Sequence, residues 1–142
     1  RLPTEGEWTY AAVGGSEQRK FPGGATPPDN SLAAPACTAD GSLNSLCALT
    51  DILPVGRKAA GNGRWGHADL AANLREWIYD WFSSTYPIPC VNCTNPAGSG
   101  RTARGAGFDD AATDLETRHS TTSYGAVVRA RNLGLRCARD GS

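Results

Sequence analysis

The chain has 142 residues, and its 14 basic and 14 acidic side chains cancel. That length suits one domain with a modest core, and the balanced charge provides no general attraction for nucleic acid or an anionic membrane. No apolar run approaches the roughly 20 residues of a transmembrane helix, no signal peptide is visible, and 17 Gly with 9 Pro point to a loop-rich fold.

The first element is a helix over about residues 5–13. Pro3-Thr4-Glu5-Gly6-Glu7 reads as a capping box, in which Thr4 and Glu7 satisfy each other's backbone amides. Trp8, Ala11 and Ala12 fall on one helical face, and Gly14-Gly15 can adopt the left-handed turn that ends a helix. Residues 16–64 read mostly as loop, with one short extended piece at Ile52–Gly56. So long a structureless stretch needs staples.

The five cysteines are Cys37, Cys47, Cys90, Cys93 and Cys137. Cys37 and Cys47 flank a polar turn-rich stretch, and Cys90-Val-Asn-Cys93 forms a close pair. Neither pair has a His at zinc-finger spacing. Local disulfides in an oxidising compartment are the favoured reading, with reduced loop thiols as the alternative. An odd count leaves Cys137 free or bonded outside the visible chain.

From Arg64 to Asn73 the chain is a tight irregular segment. Glu76–Phe82 reads as a strand, with Trp77, Tyr79 and Trp81 on one face and Ile78 and Phe82 on the other. Residues 83–100 are turn-rich. Arg101–Phe108 and Leu133–Arg139 read as strands, the latter with Leu133, Leu135 and Cys137 inward and Arg136 outward. There is no internal repeat and no domain linker.

These segments, taken in order, resemble the formylglycine-generating enzyme family, also called the sulfatase-modifying-factor family. The matching pieces begin with Arg1-Leu2-Pro3-Thr4-Glu5, Glu7-Trp8, Tyr10-Ala11-Ala12 and Gly14-Gly15. Phe21-Pro22-Gly23-Gly24 and Pro54-Val55-Gly56 follow. The most specific stretch is Gly66, Asp69-Leu70-Ala71, Asn73, Glu76-Trp77 and Asp80-Trp81. Arg104-Gly105-Ala106-Gly107-Phe108 and Leu133-Gly134-Leu135-Arg136-Cys137-Ala138 complete the set. The resemblance implies an α+β, C-type-lectin-like fold with small twisted antiparallel sheets and few helices. It also implies that residues 1–142 are the C-terminal portion of a domain whose N-terminal part precedes Arg1, and that Cys137 pairs with a cysteine upstream of Arg1.

Formylglycine generators carry two copper-binding cysteines shortly after the strand matched by Arg104–Phe108. Soft thiolates suit Cu(I). Here Asp110 and Leu115 stand roughly at those places, Gly107 stands where the family has Ser, and no copper is expected. Related iron enzymes use a His-rich set, whereas only His67 and His119 occur here, and both read as structural or surface residues. Asp109-Asp110 could form an acid–base pair, but adjacent carboxylates more often cap a turn. The family's calcium turn maps to the side chains of Asp69 and Glu76 and the carbonyls of Ala72 and Leu74, a hard-oxygen set. The other reading is that Asp69 and Asn73 satisfy turn amides while Glu76 pairs with an Arg. A second family calcium site near Asn30 is not expected, because Cys47 falls near the place of its carboxylate.

The expectation is therefore a non-catalytic, secreted or surface-exposed binding or structural module, a pseudoenzyme with calcium as its candidate cofactor. Its location would be extracellular, periplasmic or on the outer surface. Its partner would be a protein or glycan ligand, met by loops 57–68, 83–100 and 109–124. Two alternatives remain: a metal-dependent oxidoreductase of the same superfamily with an altered site, and a variable lectin-like surface receptor.

Overall fold

The computed structural model describes residues 1–33, 37, 47–85, 89, 93–119 and 123–140. Helix α1 spans Glu5–Val13. Its capping box is formed as the sequence suggests: the Glu7 amide donates to Thr4 Oγ1 at 3.2 Å, and the Thr4 amide donates to Glu7 Oε2 at 2.8 Å. Gly14 closes the helix in the left-handed conformation, φ 68°, where glycine has no Cβ to clash.

Four strands form one sheet in the order β3-β2-β1-β4. They are β1 (Arg75–Trp81), β2 (Arg101–Arg104), β3 (Ser123–Tyr124) and β4 (Leu133–Leu135). β2 runs antiparallel to both β1 and β3, whereas β4 lies parallel to β1 on its other side. One core cluster joins Trp8 and Ala12 of α1 to Leu70 and Ile78. A second gathers Phe21, Ala33, Ala72, Ala106 and Leu115. Thus α1 packs on β1, and long irregular segments close the rest of the interior, as expected of a loop-rich α+β chain.

Asp80 ties three elements together. It is 1% exposed. Its Oδ2 accepts from the Glu5 amide at 2.8 Å and its Oδ1 from the Asn95 amide at 2.7 Å. A carboxylate at the start of α1 satisfies an orphan amide and complements the helix dipole. The same side chain pins the loop that follows β1.

Several local expectations need correction. Ile52–Gly56 is not a strand; its backbone is instead held by side chains, with Leu53 bonded to Asn73 and Gly56 to Asp69. β2 stops at Arg104 rather than Phe108, because Gly105 turns the chain at φ 73°. β1 begins at Arg75 and ends at Trp81, leaving Phe82 39% exposed. Three of the inward and outward assignments around β4 are reversed: Leu135 is 67% exposed and Cys137 is exposed, whereas Arg136 turns in to meet Glu76; Leu133 is half-buried. A buried carboxylate needs a partner more than an edge strand needs its leucine covered. β3, only two residues long, carries no pattern legible in sequence.

Cys37 and Cys47 are disulfide-bonded. Cys93 is also in a disulfide, while Cys90 lies outside the described residues. Cys137 is a free thiol within this chain. Among the described residues, no helix is long and apolar enough to cross a membrane.

Candidate functional site

The turn from Asp69 to Glu76 is held at several points by side chains and backbone. Asp69, Ala72 and Asn73 all adopt left-handed backbone angles, with φ of 55°, 62° and 67°. Such angles are costly outside glycine and persist where surroundings enforce them. The enforcement is visible. Asn73 clamps Leu53 from both sides, accepting from its amide at 3.0 Å and donating to its carbonyl at 3.2 Å. The Phe108 amide donates to the Asn73 carbonyl at 2.8 Å. Asp69 Oδ2 accepts from the Gly56 amide at 2.7 Å.

At the end of this turn, Glu76 is buried at the start of β1. Its Oε2 accepts from the Trp8 indole at 2.7 Å and from Arg136 Nε at 2.9 Å; its Oε1 accepts from Arg136 Nη2 at 2.7 Å. Arg136 also donates to the Ala68 carbonyl at 2.6 Å. The fork of a guanidinium matches a carboxylate in just this bidentate way. Asp69, Leu74, Glu76 and Arg136 share one cavity of about 240 Å³. The expected calcium side chains are thus neighbours, and both carboxylates already have protein donors. Ala72 is buried in the second core cluster.

At the place matched to the copper-binding cysteines, Asp110 Oδ1 accepts from Arg75 Nη2 at 2.6 Å and its Oδ2 from the Gly107 amide at 2.5 Å. Asp109 Oδ1 accepts from Asn132 Nδ2 at 3.0 Å, and its Oδ2 lies 3.5 Å from Arg131. Leu115 is 2% exposed. A Cβ on Gly107 would lie 2.9 Å from Asn132 Cβ and from Asp109 Oδ1, so a serine at this position would have no room without a shift. Two carboxylates and a core leucine supply no soft donor, so this donor set does not fit copper(I). The Asp109-Asp110 pair staples the loop after β2 to β1 and to the approach to β4.

The two histidines are apart in role. His119 Nε2 lies 3.5 Å from Asp114, and its carbonyl accepts from Arg104. His67 stands edge-on to Trp65, with ring centroids 6.4 Å apart. Among the described residues, no group of three or more His, Cys, Asp or Glu side chains is placed to hold a metal ion.

One aromatic pair has almost no signal in the sequence. Tyr10, on the outer side of α1, stacks on Trp65 with ring centroids 5.3 Å apart and planes 15° from parallel. Both residues are exposed, at 61% and 48%. The only sequence signal is that Tyr10 lies off the Trp8–Ala12 stripe while Trp65 sits in a glycine-rich turn.

Electrostatics near the start of the chain are local. The Arg1 guanidinium grips Glu7 through two bonds of 2.8 Å and holds its carboxyl well below the usual range, at about 2.

Comparison with known proteins matches the geometry. Residues 1–141 match the model of the sulfatase-modifying factor enzyme 1-like domain. A formylglycine-generating enzyme of Streptomyces coelicolor is 32% identical, over 99% of this chain and 46% of the relative. Among solved structures, Treponema denticola variable protein 1 superposes with a TM-score of 0.71 at 26% identity, covering 95% of this chain and 45% of that one. PvdO of Pseudomonas aeruginosa gives 0.74 at 20% identity, covering 95% and 50%, a likeness of fold. The chain spans about half the length of these relatives. With ordered motifs, fold and family model in agreement, the chain belongs to the family of the sulfatase-modifying factor enzyme 1-like domain.

Proposed function

We propose that this domain is a non-catalytic binding or assembly module that uses the formylglycine-generating-enzyme fold without its copper chemistry. The observation that carries the reading is the fate of the two thiolate positions. One is Asp110, committed to Arg75 and the Gly107 amide, and the other is Leu115, packed in the core. Neither supplies the soft thiolate that copper(I) prefers. The test is metal analysis of the purified protein together with turnover on a cysteine-containing sulfatase peptide. Neither bound copper nor formylglycine product is expected. Stoichiometric copper or iron with turnover would establish the alternative, a metal-dependent oxidoreductase.

The Cys37–Cys47 disulfide is compatible with an oxidising space outside the cytoplasm, and a secreted or surface location is part of the proposal. So is the place of residues 1–142 as the C-terminal portion of a longer domain; the chain covers 46% of the Streptomyces coelicolor relative, which fits a part of a domain without fixing which part. Calcium belongs here too. Asp69 and the carbonyls of Ala72 and Leu74 would supply hard oxygens, and Glu76 would join them only by loosening Arg136. Chelation is therefore expected to lower the melting temperature slightly, and an unchanged melting temperature would remove calcium from the reading.

A second reading, a variable surface receptor, is favoured by the 26% identity and 0.71 TM-score with Treponema denticola variable protein 1. It predicts that sibling sequences diverge within 109–124 while Asp69–Trp81 stays constant. Even divergence along the chain would remove it.

A further inference from the structure

We propose that the exposed Tyr10–Trp65 stack and the cavity beside it form a carbohydrate-binding site. This inference deepens the binding-module reading and rests on it.

The stack is a built feature. Its two rings lie over the double glycine that ends α1. Gly15 has φ 62°, and a Cβ there would lie 3.0 Å from Tyr10 Cζ and hydroxyl and 3.1 Å from the Trp65 ring edge. Arg64 stands over Trp65 at 5.4 Å from its centroid, donates to the Gly14 carbonyl at 3.1 Å and pairs with Glu17 at 3.1 Å. Two large rings ordered in this way at 61% and 48% exposure are costly to leave facing water and mark a contact surface.

The stack does not stand alone. His67, edge-on to Trp65, lines a cavity of about 370 Å³ with Glu7, Ala11, Leu70, Arg136 and Arg139. That volume is within the range of small-ligand sites, about 300–1,000 Å³. His67 Nδ1 is buried with no hydrogen-bond partner, and an orphaned buried polar atom calls for an explanation. Arg139 is exposed and has no acidic partner among the described residues, whereas Glu7 is neutralised by Arg1 and Arg136 by Glu76.

This arrangement asks for a ligand with a flat apolar face and polar groups round its rim. A pyranose has that form: C–H bonds on one face, which suit an aromatic ring, and hydroxyls at its equator, which suit an imidazole nitrogen and a guanidinium. A nucleic acid would need a track of unpaired cations. Here Arg19 and Arg64 are both paired with Glu17 and the chain's net charge is zero.

The test titrates the intact protein with cellotriose, chitotriose and trigalacturonate, following tryptophan fluorescence and saturation-transfer NMR. At least one should bind saturably. Trp65→Ala and Tyr10→Ala should each weaken it about tenfold, equivalent to about 1.4 kcal/mol, with an unchanged melting temperature. Gly15→Ala, which displaces both rings, should weaken binding as well, with a fall in melting temperature from its left-handed backbone, φ 62°. Arg139→Ala should affect trigalacturonate more than the neutral sugars. No saturable binding below about 10 mM, or binding indifferent to Trp65→Ala, overturns the proposal. Either failure leaves the non-catalytic reading standing; turnover with stoichiometric copper or iron would be needed to sink that.

Discussion

Trp8 and Tyr10 sit two residues apart on one helix and meet opposite fates. Trp8 is 3% exposed, its indole hydrogen-bonded to a carboxylate that is itself gripped by a guanidinium. Tyr10 is 61% exposed and touches Trp65 across a glycine turn. The inner side of α1 spends its aromatic residue on cohesion: apolar burial plus a satisfied polar edge inside a low-dielectric core. The outer side leaves comparable ring area facing water, where it adds little to stability. The difference separates residues that hold the fold from residues free to serve a ligand, and variants can probe each side.

The largest effect should come from breaking the inner network at its cation. Arg136→Met leaves Glu76 buried without its counter-charge, and denaturant unfolding should show a loss of about 3–5 kcal/mol. A loss within about 0.5 kcal/mol would mean that the ion pair is not what holds Glu76 in place. Next comes Asp80→Ala, which removes the acceptor for the Glu5 and Asn95 amides and should cost about 2–4 kcal/mol. Hydrogen exchange should then quicken at both amides.

Glu7 gives a smaller, pH-dependent effect. Bonding to Arg1 lowers its carboxyl from 4.5 to about 2. A depressed folded-state value means that the unfolded chain takes up the proton first as pH falls. The contribution is therefore complete above about 4.5 and is lost as pH drops towards 2. Glu7→Gln should flatten that part of the stability profile. The change should be modest, since the Glu7 side chain is 47% exposed and solvent screens the pair. Smallest of all, Tyr10→Ser should change stability by no more than about 0.5 kcal/mol. A larger loss would place Tyr10 among the fold-holding residues and erase the contrast between the two sides of α1.

Much of the inner side is legible in sequence, because its rules are local or follow the element's own period. Thr4 and Glu7 cap a helix three residues apart, Gly14 ends it, and Trp8 with Ala12 marks the buried stripe. Ile78 and Tyr79 alternate inside and out along β1. The candidate site is legible only in part. Asp69 and Glu76 are found through a motif, and they do line one cavity. The alternative hydrogen-bonding roles are also present in the structure: Asp69 and Asn73 hold turn amides, and Glu76 pairs with an arginine. The Tyr10–Trp65 stack has no local signature, since its rings come from residues 55 positions apart.

What the sequence by itself determined is therefore the family, the helix with its two caps and the alternation of β1. The helix and β1 depend on side chains within a few residues of one another, so neighbouring chemistry suffices, whereas the family rests on short motifs met in order along residues 1–141. Tertiary structure alone decided that β4 runs parallel to β1, that Leu135 faces water and that Arg136 turns inward. Alternation along residues 133–139 would bury Leu133, Leu135 and Cys137. For Leu135 and Cys137 the opposite outcome arises because Glu76, 60 residues before Arg136, is buried and must be neutralised. The free energy of leaving one carboxylate unpaired in the core exceeds that of exposing one leucine.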